Sequence, residues 1–283
     1  MAVTVNPLSD ACGAEIIGID IRGAVSPEDV ATIYQAWLDH LVIVVRGQHD
    51  VTPPEQKAFC SNFGRIGEYN RPKDRQHPKF SSDEIMLVSN VRVDGQVIGA
   101  HPDGEMMWHT DTPYLATPHK ATTLYGVEIP AIGGDTRFSN QYKVYEALPQ
   151  ALKDKLAGRM AMNCYEFGTT VKTFEKYDRA SVPHFPHPIF RKHPETGRTA
   201  GYVCPLMTEE IIDMDEDEGK AILEEIYAIQ RQPEFVYSHK WQVGDFVMWD
   251  NRCLLHARTD FPRDQRRLLR RVTIGDEAAV MAA

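Results

Sequence analysis

Short apolar segments that end at turn residues are the feature of this chain that most limits how it can fold. Each segment is rich in β-branched, aromatic or other apolar residues, with Gly, Pro, Asn or Asp at or near its end. The segments lie at 14–22, 41–45, 85–90, 122–128 and 241–256. Because few helical segments separate them, they predict a mixed α/β chain that is mainly β, a barrel or sandwich decorated by helices.

Helices are predicted where capping residues precede an apolar stripe. Residues 26–29 and 52–55 both place a hydroxyl residue before proline and acidic residues, which is the composition of a helix start. Apolar residues at helical spacing predict two more helices, at 142–159 and at about 221–231. The acidic run 213–218 is interpreted as a solvated helix start, since its spacing does not match a calcium loop.

The length of the chain, 283 residues, is compatible with a single domain over 1–283. Its N-terminal α/β portion is expected at 1–67 and its β core, with an insert, at 108–283. Between them, residues 68–107 are polar and punctuated by Pro and Gly, with an Asp94-Gly95 hairpin signal. Such a loop is either a lid that contacts substrate or a solvated surface segment.

Composition and charge exclude several classes of protein. The net charge of −9 argues against a general nucleic-acid binder. No apolar run has the length of a membrane span, and the start of the chain lacks the features of a signal peptide. The five cysteines are scattered without a C-x-x-C pair, so we expect reduced thiols in a cytoplasmic protein.

His109 and Asp111 are the first candidates for chemistry. Two residues apart on an extended strand, they point to the same side and can provide two ligands of a metal site. A His-x-Asp triplet alone is more often a structural pair. The distant His256 is the strongest candidate for a third ligand, because it ends an apolar strand and precedes a basic segment. Two histidines and one carboxylate form the ligand set of non-haem Fe(II) oxygenases.

Several motifs, in order along the chain, resemble those of one enzyme family. They are residues 108–111 (Trp-His-Thr-Asp), 133–136 (Gly-Gly-Asp-Thr), 244–252 ahead of His256, and 265–267 (Gln-Arg-Arg) with Arg271. The set resembles the Fe(II)/2-oxoglutarate-dependent dioxygenases of the taurine dioxygenase and chlorophenoxyacetate dioxygenase family. The resemblance implies a double-stranded β-helix core, a jelly roll of the cupin type, with flanking helices.

The resemblance also implies roles for individual residues. His109, Asp111 and His256 would bind Fe(II) and leave positions for 2-oxoglutarate and O₂, and Thr136 and Arg267 would bind 2-oxoglutarate. Arginine suits this role because its planar fork binds a carboxylate through two hydrogen bonds, which lysine cannot do. Arg271 would bind the acidic group of the primary substrate. The alternative for the two arginines is that they are surface charges.

The expected substrate contacts are Arg271, Tyr69, Asn70, Glu105 and Met207, at or near positions that line the substrate pocket of taurine dioxygenase. Their identities argue against taurine itself, whereas Arg271 implies a small carboxylate or sulfonate. The expected reaction is hydroxylation, followed by cleavage when the hydroxylated carbon bears oxygen, nitrogen or sulfur, with succinate and CO₂ as co-products. Since family members commonly self-associate, we also expect a homo-oligomer.

Two other functions use the same residues. A zinc hydrolase can employ two histidines and one aspartate. A non-catalytic barrel that binds a small acid would use the triad only structurally. The first leaves Thr136, Arg267 and Arg271 without a role. Both stay open on the residues alone.

Overall fold

The computed structural model describes residues 2–67, 85–165, 178–277 and 279–283. Tyr69 and Asn70, two of the expected substrate contacts, lie outside the described residues, as does the part 68–84 of the expected loop. Within the described ranges, no helix is long and apolar enough to span a membrane.

The regular structure consists of short strands and a few helices, with the following bounds. The strands are β1 (Thr4–Pro7), β2 (Ala14–Ile17), β3 (Val42–Val45), β4 (Met86–Ser89), β5 (Arg92–Val93), β6 (Gln96–Val97), β7 (Met106–His109), β8 (Ala121–Glu128), β9 (Thr136–Asn140), β10 (Met160–Cys164), β11 (His184–Pro188), β12 (Phe190–Lys192), β13 (Thr199–Gly201), β14 (Thr208–Ile211), β15 (Val236–His239), β16 (Phe246–Asp250), β17 (Leu254–Arg258), β18 (Leu268–Ile274) and β19 (Met281–Ala282). The helices are α1 (Pro27–His40), α2 (Pro53–Cys60), α3 (Gln141–Ala147), α4 (Gln150–Leu156) and α5 (Glu216–Gln230), with 3₁₀ turns at Ser61–Phe63, Arg179–Ser181 and Pro233–Phe235.

Two facing sheets form the centre of the molecule. The larger has the strand order β1-β2-β3-β16-β8-β18-β4 and the smaller the order β15-β9-β17-β7. Val44 and Leu124 of the larger sheet pack in one buried cluster with Phe138 and Leu254 of the smaller. Among the described strands no pairing joins the two sheets, so the expected jelly roll is a sandwich of two sheets and not a closed barrel.

Helices α1 and α2 cover the outer face of the larger sheet. Ile33 of α1 and Phe59 of α2 pack with Ile43 and Val45 of β3, while Val44, between them in sequence, points to the sandwich interior. Both faces of β3 are therefore buried, which explains why this strand is apolar throughout and not alternating. The mainly β core with flanking helices is as expected.

Helix starts and the hairpin agree with their sequence signals. Ser26 accepts a hydrogen bond from the Asp29 amide at the start of α1, and Thr52 with Glu55 forms a capping box at α2. At the β5–β6 turn, φ is positive at Asp94 (51°) and at Gly95 (79°), as the Asp-Gly signal predicts.

Three segment predictions were wrong in extent. The segment 241–256, predicted to continue as one strand, is divided into β16 and β17, which belong to different sheets. The single helix predicted at 142–159 is two helices, because Pro149 lacks an amide proton and disfavours helical backbone at Leu148, where ψ is 140°. The strand predicted at 14–22 ends at Ile17, before Gly18 turns the chain at φ +91°. All five cysteines are buried thiols that form no disulfide, as expected.

Candidate active site

Adjacent strands of the smaller sheet bring the two expected histidine ligands together. His256 of β17 is directly opposite His109 of β7 in the antiparallel register, and their ring centroids are 4.0 Å apart. Asp111 follows β7 by two residues, and Thr112 then turns the chain at φ +56°. A candidate ligand atom from each of His109, Asp111 and His256 lies within 4.8 Å of the other two, and all three residues are buried.

The environment of both histidines favours their neutral form. Burial lowers the pKa of His109 and lowers that of His256 further, where the neighbouring His109 adds to the effect. His109 Nδ1 lies 2.7 Å from the Met107 carbonyl oxygen, which can only accept, so Nδ1 carries the proton. The lone pair of His109 Nε2 is therefore available to a metal ion, the usual arrangement of a ligating histidine.

Asp111 supplies the negative charge of the cluster. Its Oδ1 is 2.8 Å from Arg271 Nη2 and 3.9 Å from His256 Nε2, while Oδ2 accepts a hydrogen bond from the Thr122 hydroxyl. Burial acts to raise the pKa of Asp111, but the opposing charges, led by Arg271, hold it below its usual range. Two neutral imidazoles and one ionised carboxylate fit Fe(II), and three protein ligands leave an octahedral ion open to other ligands.

Arg267 forms the centre of a second polar site. It lies one residue before β18 and is buried, and burial lowers its pKa. Nη2 donates to the Gly134 carbonyl oxygen at 3.2 Å, whereas Nε and Nη1 are buried without a partner among the described residues. A Cβ on Gly134 would lie 3.0 Å from Arg267 Nε, so the glycine makes room for the guanidinium. Unpaired buried donors of this kind fit a carboxylate ligand.

Thr136 begins β9, two residues after Gly134, and its hydroxyl has a fixed direction. Trp241 Nε1 donates to Thr136 Oγ1 at 3.0 Å. Because an indole N–H can only donate, Thr136 accepts this bond and keeps its own proton for another acceptor. A carboxylate near Arg267 can accept that proton. The arrangement fits the dicarboxylic acid 2-oxoglutarate.

The expected substrate residues that the structure describes lie in different settings. Met207 is buried in a cluster with Trp108 of β7 and Leu255 of β17. Leu255 alternates with His256 along β17, so this cluster is on the face of the smaller sheet opposite to His256. Glu105 is exposed, just before β7. Arg271 contacts Asp111 directly, and its Nε is buried without a partner among the described residues.

Three groups near the site were not found from the sequence. Burial lowers the pKa of His119 to about 4 and raises that of Tyr114, and both groups lie within electrostatic reach of Arg271 and Asp111. Their position in the short segment between Asp111 and β8 is the signal that was missed. Arg258 follows His256 by two residues, so strand alternation alone could have placed both on one face.

Comparisons of the sequence and of the structure with known proteins all identify relatives in one family. Residues 4–273 match the family described as "Taurine catabolism dioxygenase TauD, TfdA family". The chain is 34% identical to pentalenolactone F synthase of Streptomyces avermitilis, covering 95% of this chain and 93% of that protein. It is 33% identical to the α-ketoglutarate-dependent 2,4-dichlorophenoxyacetate dioxygenase of Cupriavidus pinatubonensis, covering 99% and 100%. The crystal structure of AAD-2 with Mn(II) and N-oxalylglycine superposes over the full length of both chains at 26% identity, with a TM-score of 0.83.

Proposed function

Because the chain belongs to the taurine catabolism dioxygenase TauD, TfdA family, we propose that His109, Asp111 and His256 hold the Fe(II) of its active site. The family makes the protein a dioxygenase that depends on Fe(II), 2-oxoglutarate and O₂. When bound, the iron supports oxidative decarboxylation of 2-oxoglutarate to succinate and CO₂, with transfer of an oxygen atom to a substrate C–H bond. The observation that carries the ligand assignment is the convergence of three buried donors within 4.8 Å.

The chain's own groups then bind and orient the organic ligands. Arg267 donates to the distal carboxylate of 2-oxoglutarate from a guanidinium whose Nε and Nη1 have no protein partner in the described structure. The Thr136 hydroxyl donates its remaining proton to a carboxylate oxygen of the same ligand. Burial of both groups excludes water and strengthens these charge-assisted bonds.

The primary substrate is proposed to be a small carboxylate or sulfonate whose acidic group binds Arg271. The 2,4-dichlorophenoxyacetate dioxygenase, by its name, acts on an aryloxy acid, which supports a carboxylate. Met207 stays a proposed contact that rests on the family resemblance alone, because its cluster includes Leu255, which faces away from His256. Glu105 is the weakest of the expected contacts because its side chain is exposed. Hydroxylation is proposed to end in cleavage where the attacked carbon bears oxygen, nitrogen or sulfur.

Family membership removes the two alternative functions that the triad alone left open. A zinc hydrolase needs no O₂, and a non-catalytic barrel forms no product. Neither accounts for the two buried guanidinium nitrogens of Arg267 beside Gly134.

The experiment is a screen for substrate-stimulated succinate release with Fe(II), 2-oxoglutarate and O₂. Carboxylates, sulfonates and aryloxyalkanoates are each paired with a neutral methyl ester or amide of the same skeleton. We expect stimulation by one acidic series and not by its neutral partners. Asp111→Ala is expected to lower succinate formation more than about 100-fold, whereas Glu225→Ala, an exposed substitution on α5, leaves it unchanged. Wild-type turnover in Asp111→Ala would refute the ligand set.

Three coarser features are proposed with the function. A single dioxygenase domain over 1–283 is supported by β1–β3, which belong to the same sheet as β16, β8 and β18. The family resemblance supports a homo-oligomer. The net charge of −9 supports a protein that does not bind nucleic acid or membrane, and five cysteines without a disulfide support the cytoplasm. Light scattering after size exclusion tests the oligomeric state.

A further inference from the structure

A chain of buried hydrogen bonds leads from the interior of the sandwich to one oxygen of Asp111. Trp249 Nε1 donates to Asn251 Oδ1 at 3.0 Å, and Asn251 Nδ2 donates to Thr122 Oγ1 at 3.0 Å. The Thr122 hydroxyl then donates to Asp111 Oδ2 at 2.5 Å. Trp249 and Thr122 are opposite each other in the β16–β8 register, and all four residues are buried.

The indole of Trp249 determines the donor–acceptor direction of this series of hydrogen bonds. An indole N–H can only donate, so the Asn251 oxygen must be the amide atom that faces Trp249. The amide nitrogen therefore faces Thr122 and donates to its hydroxyl oxygen. With that oxygen already accepting, the single hydroxyl proton of Thr122 is directed to Asp111.

We propose that Thr122, oriented by Asn251 and Trp249, is a positioning residue that determines which oxygen of Asp111 faces the metal. The inference rests on the ligand set of the proposed function. Oδ2 is held by Thr122, whereas Oδ1 is on the side of His256 and contacts only Arg271 among the described residues, at 2.8 Å. Because the proposed function assigns Arg271 to the acidic group of the substrate, Oδ1 is the oxygen that binds the metal. Binding through one oxygen keeps a coordination position free that a two-oxygen carboxylate would occupy.

The alternative is that Thr122 only stabilises β8 and has no direct influence on metal binding. The adjacent Thr123 provides the matched comparison for this alternative. It is equally buried on the same strand but points to the opposite face, where its hydroxyl donates to the Val272 carbonyl oxygen at 3.1 Å. Removing either hydroxyl removes a buried side-chain hydrogen bond, and only one of the two hydroxyls contacts the proposed ligand.

The test is a titration with Mn(II), followed by the electron paramagnetic resonance signal of the free ion, for the full-length wild type and its variants. Thr122→Val is expected to weaken Mn(II) binding by about 10- to 100-fold. Thr122→Ser, which keeps the hydroxyl, and Thr123→Val are expected to stay within about 3-fold of wild type. Thermal unfolding of each variant verifies that it is folded at the titration temperature.

The outcomes separate the two proposals. If Asp111→Ala binds Mn(II) as wild type does, the ligand set is wrong and the positioning role falls with it. If Asp111→Ala loses binding while Thr122→Val keeps wild-type affinity, the positioning role alone is overturned. Equal weakening by Thr122→Val and Thr123→Val also overturns it, because the effect would then belong to any hydroxyl on β8.

Trp249→Phe tests whether the tryptophan N–H orients the hydrogen bonds that lead to Asp111. It keeps an aromatic ring beside His256 but removes the N–H that orients the Asn251 amide. We expect weaker Mn(II) binding than wild type, by a smaller factor than in Thr122→Val. Unchanged affinity would show that the tryptophan does not orient Asn251, and would overturn its part in the proposal.

Discussion

Arg267 shows how the protein keeps a charged donor ready for a ligand. Leaving a buried cation without an anionic partner costs several kcal/mol, so such residues are rare unless a ligand offsets the cost. The Phe261 ring, 5.7 Å from the guanidinium carbon, and the close approach of Gly134 hold Arg267 in place instead. The binding of a carboxylate to Arg267 offsets the free-energy cost of burying its charge.

Arg267→Lys keeps the positive charge but loses the planar fork. We expect the KM for 2-oxoglutarate to rise by about 10- to 100-fold, because one of two charge-assisted hydrogen bonds is lost. The KM is measured from succinate formation at saturating primary substrate. Arg266→Lys is the control, since Arg266 is exposed and pairs with Glu128 at the surface. An unchanged KM in Arg267→Lys would place the cosubstrate elsewhere.

At the scale of elements, β17 connects the metal site to the segment that precedes it. Leu254, His256 and Arg258 alternate onto one face of the strand, so the packing of Leu254 in the sandwich fixes the direction of the other two. Arg258 donates to the carbonyl oxygens of His101 (2.7 Å), Asp103 (3.0 Å) and Gly104 (2.7 Å). One buried guanidinium thereby anchors residues 101–104, which lead into β7 and His109.

Arg258→Met retains the length of the side chain and removes all its donors. We expect a loss of about 3 kcal/mol in the free energy of unfolding, because the carbonyl groups of half-buried residues lose a charged donor. Faster hydrogen exchange in residues 101–105 is expected in the same variant. Urea unfolding and exchange measured by mass spectrometry provide the two readouts. Arg263→Met, an exposed control, should change stability by less than about 0.5 kcal/mol.

At the scale of the whole molecule, buried neutral histidines make stability depend on pH. Burial lowers the pKa of His187 from 6.5 to about 4, and His119 is lowered to a similar value. The unfolded chain therefore binds protons at a higher pH than the folded chain does. The stabilisation is fully present above pH 6.5 and is lost as the pH falls towards 4.

We accordingly expect the free energy of unfolding to decrease between pH 7 and pH 5, by up to about 2 kcal/mol for each such histidine. His187→Gln is expected to reduce this decrease, since glutamine does not titrate and can still donate to the Leu115 carbonyl oxygen that His187 contacts at 2.8 Å. Urea unfolding at the two pH values measures the difference. A decrease of the same size in His187→Gln would contradict the assignment of the proton to His187.

Local interactions explain which parts of the fold were predictable. The caps at Ser26 and Thr52 and the Asp94-Gly95 turn depend on residues only a few positions apart, and all three agree with the structure. The helix break at Pro149 is equally local, but the helical spacing of the apolar residues on both sides of the proline predicts one continuous helix. Short apolar segments such as β3 predicted the mainly β architecture, and the motifs in their order along the chain carried the resemblance to the family.

By itself, the sequence determined the class of enzyme and the candidate residues His109, Asp111, His256, Arg267 and Arg271, whose individual roles stay predictions. The tertiary structure alone decided which atoms meet. It aligned His256 with His109, brought Arg271 to Asp111, and connected Trp249 to Asp111 through Asn251 and Thr122. These contacts join segments far apart in the chain through strand register. No local pattern encodes that register, because it depends on how two sheets pack as a whole.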